Sequence, residues 1–287
     1  MPADNPDAPG AFRIIAGRLR ERRTGTGRTT RQQTPEAARM RAALDMHELG
    51  VRLYRQRMRR EHPQASRAEI DGMVRAWLAE TPRGARLRLP SRERDRDTVE
   101  AALRRAVADL TAVNAAWALV GGLAVSARTV PRFTRDLDFA VAVANDSEAE
   151  DVVRRLRSRD YAPVEILEQD YAERLSGVRL ARRGSDVITD LSFASSGIEN
   201  EVVANADRLE VLPHLTVPVA TTAHLIALKV LAGRNQDLTD LGYLIRAASP
   251  AELDTARHAV KLIQARGFSR GQAIVSDLDL LIADMSR

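Results

Sequence analysis

The sequence predicts an α/β fold of the α+β kind, with a mixed β-sheet, a C-terminal helical bundle and an N-terminal helical hairpin. Two observations predict this class. Residues 98–220 alternate between amphipathic segments of helical spacing and short apolar runs of strand length. Residues 221–287 contain only segments of helical spacing, separated by glycine or proline. A hydrophobic share of 44% in 287 residues supports a substantial core.

Two stretches near the N-terminus lack this periodicity. Residues 1–34 are rich in Pro, Gly, Thr and Arg, which predicts a mostly disordered tail, with a short helix over 12–23 as the alternative. Residues 81–97 combine Pro and Gly with dense mixed charge, which is typical of a linker. The chain therefore divides into a tail, a helical segment, a linker and a larger domain.

Residues 35–80, between these stretches, predict two amphipathic helices. The first begins at Pro35, a favoured first-turn residue, and ends before Pro63. Ser66 and Glu69 form a capping-box pattern that predicts the start of the second helix. Because two helices with one apolar stripe each bury little surface alone, we expect the hairpin to pack on the downstream domain or on a partner.

The larger domain divides into a core, residues 98–220, and a helical region, residues 221–287. The core is predicted to contain helices at 98–114, 123–129 and 148–160, and strands at 118–120, 136–139, 163–168, 178–182, 186–193, 209–212 and 215–219. The helical region is predicted to contain helices at 222–232, 238–248, 251–265 and 270–285.

The charge distribution separates the two parts of the chain. Residues 1–97 contain 22 arginines, no lysine and 13 acidic residues, a net charge of +9, whereas residues 98–287 contain 22 basic and 26 acidic residues, a net charge of −4. Opposite signs favour attraction between the two parts, or contact of the basic part with nucleic acid. Codon bias is an alternative source of the arginines, since Arg outnumbers Lys 42 to 2.

Composition and motifs exclude several classes of protein. The absence of cysteine excludes disulfides and thiolate metal sites, and fits a reducing cytoplasm. No run of 18 apolar residues is present, so we expect a soluble, cytoplasmic protein without a membrane partner. The five histidines lack zinc-site spacing. Neither a G-x-S-x-G elbow nor a P-loop occurs, which argues against a serine hydrolase or a P-loop NTPase.

The stretch from Trp117 to Phe139, WALVGGLAVSARTVPRFTRDLDF, carries the strongest indication of chemistry. Asp136 and Asp138 alternate on a strand, so both side chains should project from one face. Two such carboxylates repel each other, and Mg²⁺ is a suitable counter-ion. Gly121 and Gly122 precede a helix start, where backbone N–H groups can hold phosphate. A phosphate cradle followed by metal-binding carboxylates is typical of phosphoryl or nucleotidyl transfer.

Four further residues are candidates for the same site. Asp190 lies in an apolar strand, V-I-T-D-L, and is a candidate third carboxylate, with a capping role as the alternative. Lys229 lies in an apolar helix and could reach a triphosphate, or could extend to solvent. Asp237 and Asp240 begin the next helix, where they could orient the lysine or simply favour the helix start.

Arginines and hydroxyls lie between the glycines and the carboxylates. Arg128, Arg132 and Arg135 could each pair with phosphate, and we choose Arg132, although surface arginines are common in this chain. Ser126 and Thr134 could donate to phosphate or could cap the backbone. We therefore predict a nucleotide-binding set of Gly121, Gly122, Ser126, Arg132 and Thr134.

Four motifs occur in the same order as in a known family. They are GG-x-A-V with T-R-D-L-D-F, then I-T-D-L-S-F, then H-L-I-A-L-K, then R-N-Q-D-L-T-D-L. From about Thr98 to Arg287 the chain resembles the AbiEii-type nucleotidyltransferase toxins, including the MenT group, of the DNA polymerase β-like superfamily. Residues 46–78 resemble the small helical antitoxin of such a pair, although its fusion to the toxin-like part is atypical.

The resemblance implies a polymerase-β-like core, an NTP co-substrate and bound Mg²⁺. It implies that Gly121, Gly122 and Thr134 hold the nucleotide phosphates and that Asp136 and Asp138 bind the metal. The list of catalytic residues that it implies adds Lys229 and one of Asp237 and Asp240, and Asp190 matches the middle strand motif. The last motif departs from the frequent K-D sequence, because Gln236 precedes Asp237. The choice between the two late aspartates therefore stays open.

Family members transfer nucleotides from NTP to the 3′ acceptor end of tRNA and so stop translation. We expect the same of this chain, with Asp190 as a candidate acceptor of the hydroxyl proton and with residues 35–80 restraining the catalytic domain. Two other enzyme classes share the core, namely small-molecule nucleotidyltransferases of the aminoglycoside-modifying type and protein-nucleotidylating enzymes. A different alternative is a non-catalytic regulator that binds nucleic acid and senses nucleotide.

Overall fold

The computed structural model describes residues 34–79, 98–169 and 174–285. These residues belong to one compact unit, Gln33–Arg287. The predicted tail over 1–34, except for Thr34, the predicted helix over 12–23 and the predicted linker over 81–97 lie outside the described residues. None of the described helices combines the length and the apolar content that a membrane crossing requires.

Seven described strands form one mixed sheet, which confirms the predicted α/β class. In spatial order the strands run β3-β4-β5-β2-β1-β7-β6. Strands β2 and β5 are parallel, as are β1 and β7, and the other neighbours are antiparallel. The strands are β1 Ala116–Leu119, β2 Leu137–Ala142, β3 Tyr161–Gln169, β4 Arg174–Arg182, β5 Ile188–Ser192, β6 Asp207–Leu212 and β7 Leu215–Val219.

Helices precede, interrupt and follow the strands, close to the predicted positions. A side-chain oxygen of Thr, Asn or Ser caps the start of six of the described helices. The sequence analysis missed only α6, which has six residues and is too short to show helical periodicity. The helices are α1 Pro35–Glu61, α2 Arg67–Ala79, α3 Val99–Ala112, α4 Gly121–Arg128, α5 Asp146–Arg157, α6 Glu199–Ala204, α7 Thr222–Ala232, α8 Asn235–Ala247, α9 Pro250–Ala265 and α10 Ile274–Met285.

The N-terminal hairpin of α1 and α2 packs on the rest of the unit. Met40 and Leu44 of α1 are buried in the same hydrophobic core as Leu119 and Phe139 of the sheet. Arg39 donates to the backbone carbonyl of Ala127 at the end of α4. Because burying one large apolar side chain contributes about 1.5–3 kcal/mol, α1 stabilises the domain on which it packs.

Candidate active site

Three carboxylates meet where β2 and β5 run side by side. Asp138 of β2 lies opposite Asp190 of β5, in parallel register. Asp136 immediately precedes β2, close enough for the charges of the other two to act on it. Leu137, between the two aspartates, is completely buried, as strand alternation predicts. The structure thus brings the side chains of Asp136 and Asp138 together, with Asp190 beside them.

Burial and mutual repulsion change the acidity of two of these carboxyls. Burial, together with the charges of Asp138 and Asp190, raises the pKa of Asp136 to about 7. Burial and the charge of Asp190 raise the pKa of Asp138 to about 6, against the opposing charges of Lys229 and Arg132. Burial and mutual repulsion therefore outweigh the nearby cations at both carboxyls, and a divalent cation would offset that repulsion.

Arg179 of β4 holds the third carboxylate, and the sequence analysis missed this residue. Its Nε and Nη2 donate to the two carboxylate oxygens of Asp190 at 2.9 and 2.7 Å. The same Nη2 lies 3.5 Å from Oδ2 of Asp136. The feature that could have revealed Arg179 is the pairing register of the β4–β5 hairpin, which places Arg179 opposite Asp190. In an arginine-rich chain, that single residue resembled an ordinary surface arginine.

The carboxylates fit a divalent cation as a pair rather than as a triad. Within the described ranges, no group of three or more His, Cys, Asp or Glu side chains is arranged as a metal site. Arg179 already occupies both oxygens of Asp190. Asp136 and Asp138 offer the carboxylate oxygens that Mg²⁺ prefers, and their raised pKa values reflect burial and mutual repulsion that a cation would offset. The residues present therefore fit Mg²⁺ held by Asp136 and Asp138.

The glycine pair lies against these carboxylates and forms the first turn of α4. Gly121 has a φ of 63°, and a Cβ atom at this position would lie 2.0 Å from Oδ2 of Asp138. A Cβ atom on Gly122 would lie 2.6 Å from Nη2 of Arg132 and 2.7 Å from Oγ1 of Thr134. A hydrogen bond from the backbone of Gly122 lowers the pKa of Asp138. The backbone of Gly122, which was expected to hold phosphate, therefore donates a hydrogen bond to the carboxylate of Asp138.

We expect Gly121→Ala to abolish activity at this site through a steric clash with Asp138. A matched control is Gly184→Ala, since Gly184 also has a positive φ, 82°, but has no atom within 4 Å of an added Cβ. Both variants should lose about 1 kcal/mol in the free energy of unfolding from backbone strain. Only Gly121→Ala should lose divalent-cation binding, measured by calorimetry. Equal cation binding by the two variants would contradict the importance of the close approach between Gly121 and Asp138.

The segment between α4 and β2, residues 129–136, brings Arg132 and Thr134 to the glycines. Ser126 supports this segment from within α4 and is completely buried. Its hydroxyl donates to the carbonyl of Gly122 at 3.0 Å and accepts from the backbone N–H of Arg132 at 3.2 Å. Because both contacts are internal, we assign Ser126 to positioning this segment rather than to direct phosphate contact.

Lys229 of α7 forms ion pairs with both late aspartates, Asp237 and Asp240. Its Nζ lies 2.6 Å from Oδ1 of Asp237 and 2.8 Å from Oδ2 of Asp240. Nε of Arg132 lies 3.1 Å from Oδ1 of Asp240, which is 1% exposed. Asp237 also accepts the backbone N–H of Arg234 at 3.2 Å and so caps α8. The structure therefore gives both aspartates a partner in Lys229, and Asp240 additionally orients Arg132.

A cavity of about 190 Å³ opens beside Gly121, Asp138, Lys229 and Asp237. Apolar side chains of β2, α6 and α7, with Val120 just after β1, form part of its wall. Its remaining polar groups come from the end of β5 and the segment that follows it, from α6 and from two arginines. These polar residues are Ser192, Ser195, Ser196, Glu199, Arg234 and Arg270. The site therefore combines charged groups that suit a metal–phosphate complex with an adjoining space lined by both polar and apolar side chains.

Comparisons with known proteins identify both parts of the chain. Residues 101–286 match the family model described as nucleotidyl transferase AbiEii toxin, type IV TA system. Residues 31–100 match the family model described as Rv0078B-related antitoxin. These matches confirm the predicted resemblance, including the antitoxin-like N-terminal segment. No curated protein shows significant sequence similarity to the chain.

Two solved structures are among the similar ones. One is a protein from H. pylori described as a nucleotidyltransferase, with 16% identity, a TM-score of 0.33 and coverage of 65% of this chain and 89% of that one. The other is ANT(2")-Ia in complex with adenylyl-2"-tobramycin, with 14% identity, a TM-score of 0.31 and coverage of 64% and 95%. TM-scores this low do not establish a shared substrate.

Proposed function

Since this chain belongs to the AbiEii nucleotidyltransferase toxin family, we propose that it transfers a nucleoside monophosphate from an NTP to the 3′ acceptor end of tRNA. One observation supports the proposal most strongly. Asp138, Gly121 and Lys229 line one cavity, and Asp136 lies close enough to Asp138 for their charges to interact. Such transfer would stop translation by blocking the end of tRNA that receives the amino acid.

In the proposed reaction, the 3′-hydroxyl oxygen of the acceptor forms a bond to the α-phosphorus. The bond between the α-phosphorus and the oxygen that bridges it to the β-phosphorus breaks, pyrophosphate leaves, and the proton of the 3′-hydroxyl passes to solvent. A bound Mg²⁺ would polarise the phosphate oxygens and neutralise the developing charge. Asp136 and Asp138 would hold this ion, while Gly121, Gly122 and Thr134 would position the triphosphate. Lys229 would add positive charge where the leaving group departs, and Arg132 would act beside it.

Asp190 is poorly suited to accept the hydroxyl proton. Its two oxygens already accept hydrogen bonds from Nε and Nη2 of Arg179, which occupies both sides of the carboxylate. We therefore propose that Asp190 orients Arg179, whose Nη2 faces Asp136. In this arrangement the arginine offsets part of the repulsion between the carboxylates until the cation binds.

A labelling experiment distinguishes the proposed acceptor from the alternatives. The full chain is incubated with Mg²⁺ and each labelled NTP in turn, in the presence of total tRNA, an aminoglycoside or a protein extract. We expect label in the tRNA fraction, released by digestion from the 3′ end, and a steep dependence on salt. Label in the aminoglycoside or in protein would assign one of the other enzyme classes. No labelled product in any arm would favour a non-catalytic regulator.

We further propose that the N-terminal hairpin restrains transfer by holding the segment 129–136. Nδ1 of His47 lies 2.7 Å from the backbone oxygen of Thr134. The ring of Phe133 stacks on His47, with ring centroids 5.4 Å apart. The guanidinium of Arg135 lies 4.3 Å from the ring centroid of Trp77, and this arginine also donates to the carbonyl of Trp77. Through these contacts the hairpin holds the segment that carries Arg132 and Thr134 in place.

Trp77→Ala should weaken the contacts between the hairpin and the segment 129–136. We expect the rate of transfer to rise by up to about tenfold, because aromatic and cation–π contacts contribute about 0.5–2 kcal/mol each. Leu53→Ala is the matched control, since Leu53 lies on the same hairpin and is 56% exposed. Substitution is preferable to removing residues 1–97, because α1 contributes Met40 and Leu44 to the core. Unchanged or slower transfer by Trp77→Ala would contradict the restraint.

A further inference from the structure

The carboxylate of Glu199 faces the cavity beside the candidate active site, and only one of its two oxygens has hydrogen-bond partners. Its Oε1 accepts from the backbone N–H groups of Ser195 and Ser196, at 2.9 and 2.7 Å, and from the hydroxyl of Ser196 at 2.9 Å. Among the described residues, no donor bonds Oε2 and no cation lies within ion-pair distance of the carboxylate. Glu199 is 4% exposed, so its remaining surface lies in the cavity.

A carboxylate oxygen that has no protein donor and borders a cavity is available to accept a hydrogen bond from a ligand N–H group. The three hydrogen bonds to Oε1 fix the orientation of the carboxylate, so Oε2 is left to meet a ligand. Arg270 fixes the other side of this segment, because its Nη2 donates to the carbonyl and hydroxyl oxygens of Ser195 at 3.1 and 3.3 Å. The position of the free oxygen is therefore built into the fold.

The rest of the cavity suits a flat group with apolar faces and polar edges. Its volume of about 190 Å³ is below the roughly 300–1,000 Å³ typical of pockets that hold a whole drug-sized ligand. Gly121, Asp138 and Lys229, where phosphate and metal would bind, line the same cavity as Glu199. Its apolar lining includes Val120, Val202, Leu225 and Leu228. A nucleobase joined to a phosphate at the charged residues matches this combination.

We propose that Glu199 selects the nucleobase by accepting a hydrogen bond from an exocyclic amino group. Adenine, cytosine and guanine carry such a group, whereas uracil presents carbonyl oxygens that the carboxylate repels. The amino-bearing base belongs either to the incoming NTP or to the 3′-terminal nucleotide of an acceptor RNA, since both meet at the α-phosphorus. This inference rests on the proposed nucleotidyl transfer and adds the residue that reads the base.

Binding measurements on the full chain distinguish the two sources. Calorimetry with Mg²⁺ compares ATP, CTP, GTP and UTP without RNA, and separately compares short RNA oligonucleotides ending in A, C, G or U without NTP. In one of these two arms we expect amino-bearing bases to bind at least about tenfold more tightly than uracil. A difference in the NTP arm assigns the cavity to the incoming nucleotide, and one in the RNA arm assigns it to the acceptor.

Glu199→Gln is the decisive variant. The N–H groups of Ser195 and Ser196 still need an acceptor, so the Gln carbonyl should replace Oε1 and the amide NH₂ should face the cavity. We expect the preference for amino-bearing bases to fall by about tenfold or more in the arm that shows it, as uracil gains a donor. Glu150→Gln, at an exposed site on α5, is the matched control and should keep the wild-type preference.

Wild-type protein alone also tests the proposal, should Glu199→Gln fail to fold. Purine riboside triphosphate lacks the amino group of ATP, and a 3′-terminal purine riboside provides the same comparison in RNA. The proposal is overturned when both arms bind without discriminating the amino group, or when Glu199→Gln folds and keeps the preference. Absence of any NTP binding and of any labelled product would instead overturn the proposed nucleotidyl transfer.

Discussion

Asp136→Asn is expected to reduce nucleotidyl transfer by at least about 100-fold while leaving the melting temperature unchanged or higher. Transfer falls because one of the two proposed metal ligands loses its charge. Stability does not fall, because the substitution removes a partly buried charge that is repelled by Asp138 and Asp190. Calorimetric titration with Mn²⁺ and thermal unfolding, measured beside the transfer assay, check both parts of this expectation.

The pH dependence of stability provides a second readout of the same variant. The pKa of Asp136 is raised from 3.8 to about 7 in the folded chain, so the folded state binds more protons than the unfolded state across this interval. Without divalent cations, this carboxyl therefore makes the wild-type protein less stable as pH rises from about 4 to about 7. Asp136→Asn should lose that part of the pH dependence.

Asp151→Asn is the matched control, since Asp151 pairs with Arg154 on the surface of α5. It should keep wild-type transfer and wild-type Mn²⁺ binding. The metal assignment would fail if Asp136→Asn transferred nucleotide at the wild-type rate. It would also fail if both variants bound Mn²⁺ equally well.

Lys229→Met is expected to lower both stability and transfer. It leaves Asp237 and Asp240 buried without the cation that lies 2.6 and 2.8 Å from their oxygens. Removing one partner from a buried ion pair costs about 3–5 kcal/mol. In a chain of this size, that loss corresponds to a fall of roughly 10 °C in the melting temperature. Transfer should fall by at least about 100-fold, because positive charge beside the leaving group is lost.

A double variant separates the two effects of Lys229→Met. Lys229→Met with Asp237→Asn removes one of the two buried charges left without Lys229, and Asp240 keeps its ion pair with Arg132, so most of the lost stability should return. Transfer should stay low, because no cation has been restored at position 229. Recovery of transfer together with stability would show that Lys229 acts only in the packing of α7 on α8, and would contradict its proposed role toward phosphate.

Local patterns were sufficient to predict most of the fold. The apolar helix from Thr222 to Ala232 has Thr221 at its start and Gly233 at its end, and the structure places it at the predicted residues. The capping box of Ser66 and Glu69 forms as predicted, with Ser66 N–H donating to Glu69 at 2.7 Å. Such features depend on residues within one turn, so the sequence alone contains them.

Contacts between distant segments were not predictable in the same way. Arg179 reaches Asp190 through the register of β4 and β5, and one residue of slippage would turn it to the other face. The contact of the hairpin with the segment 129–136 depends on His47, Phe133 and Trp77, which come from three separate segments. Glu199 lies in the short helix α6, which the periodicity did not reveal. Each of these depends on tertiary packing rather than on local spacing.

The glycine pair shows how a correct motif can acquire an additional physical role. Its position before the aspartates suggested free N–H groups for phosphate. The structure shows that Gly121 also leaves room for the carboxylate of Asp138, because any side chain there would overlap it. The motif predicts which residues meet, whereas the distance between them needs the folded chain.

The most direct test of the proposed site is a crystal structure of the full chain with Mn²⁺ and a non-hydrolysable NTP analogue. Anomalous scattering would locate the metal independently of the protein atoms. We predict one Mn²⁺ between the carboxylates of Asp136 and Asp138, with the triphosphate beside Gly121 and within reach of Lys229. Mn²⁺ bound elsewhere, or a triphosphate remote from these residues, would contradict the assignment of this site to nucleotidyl transfer.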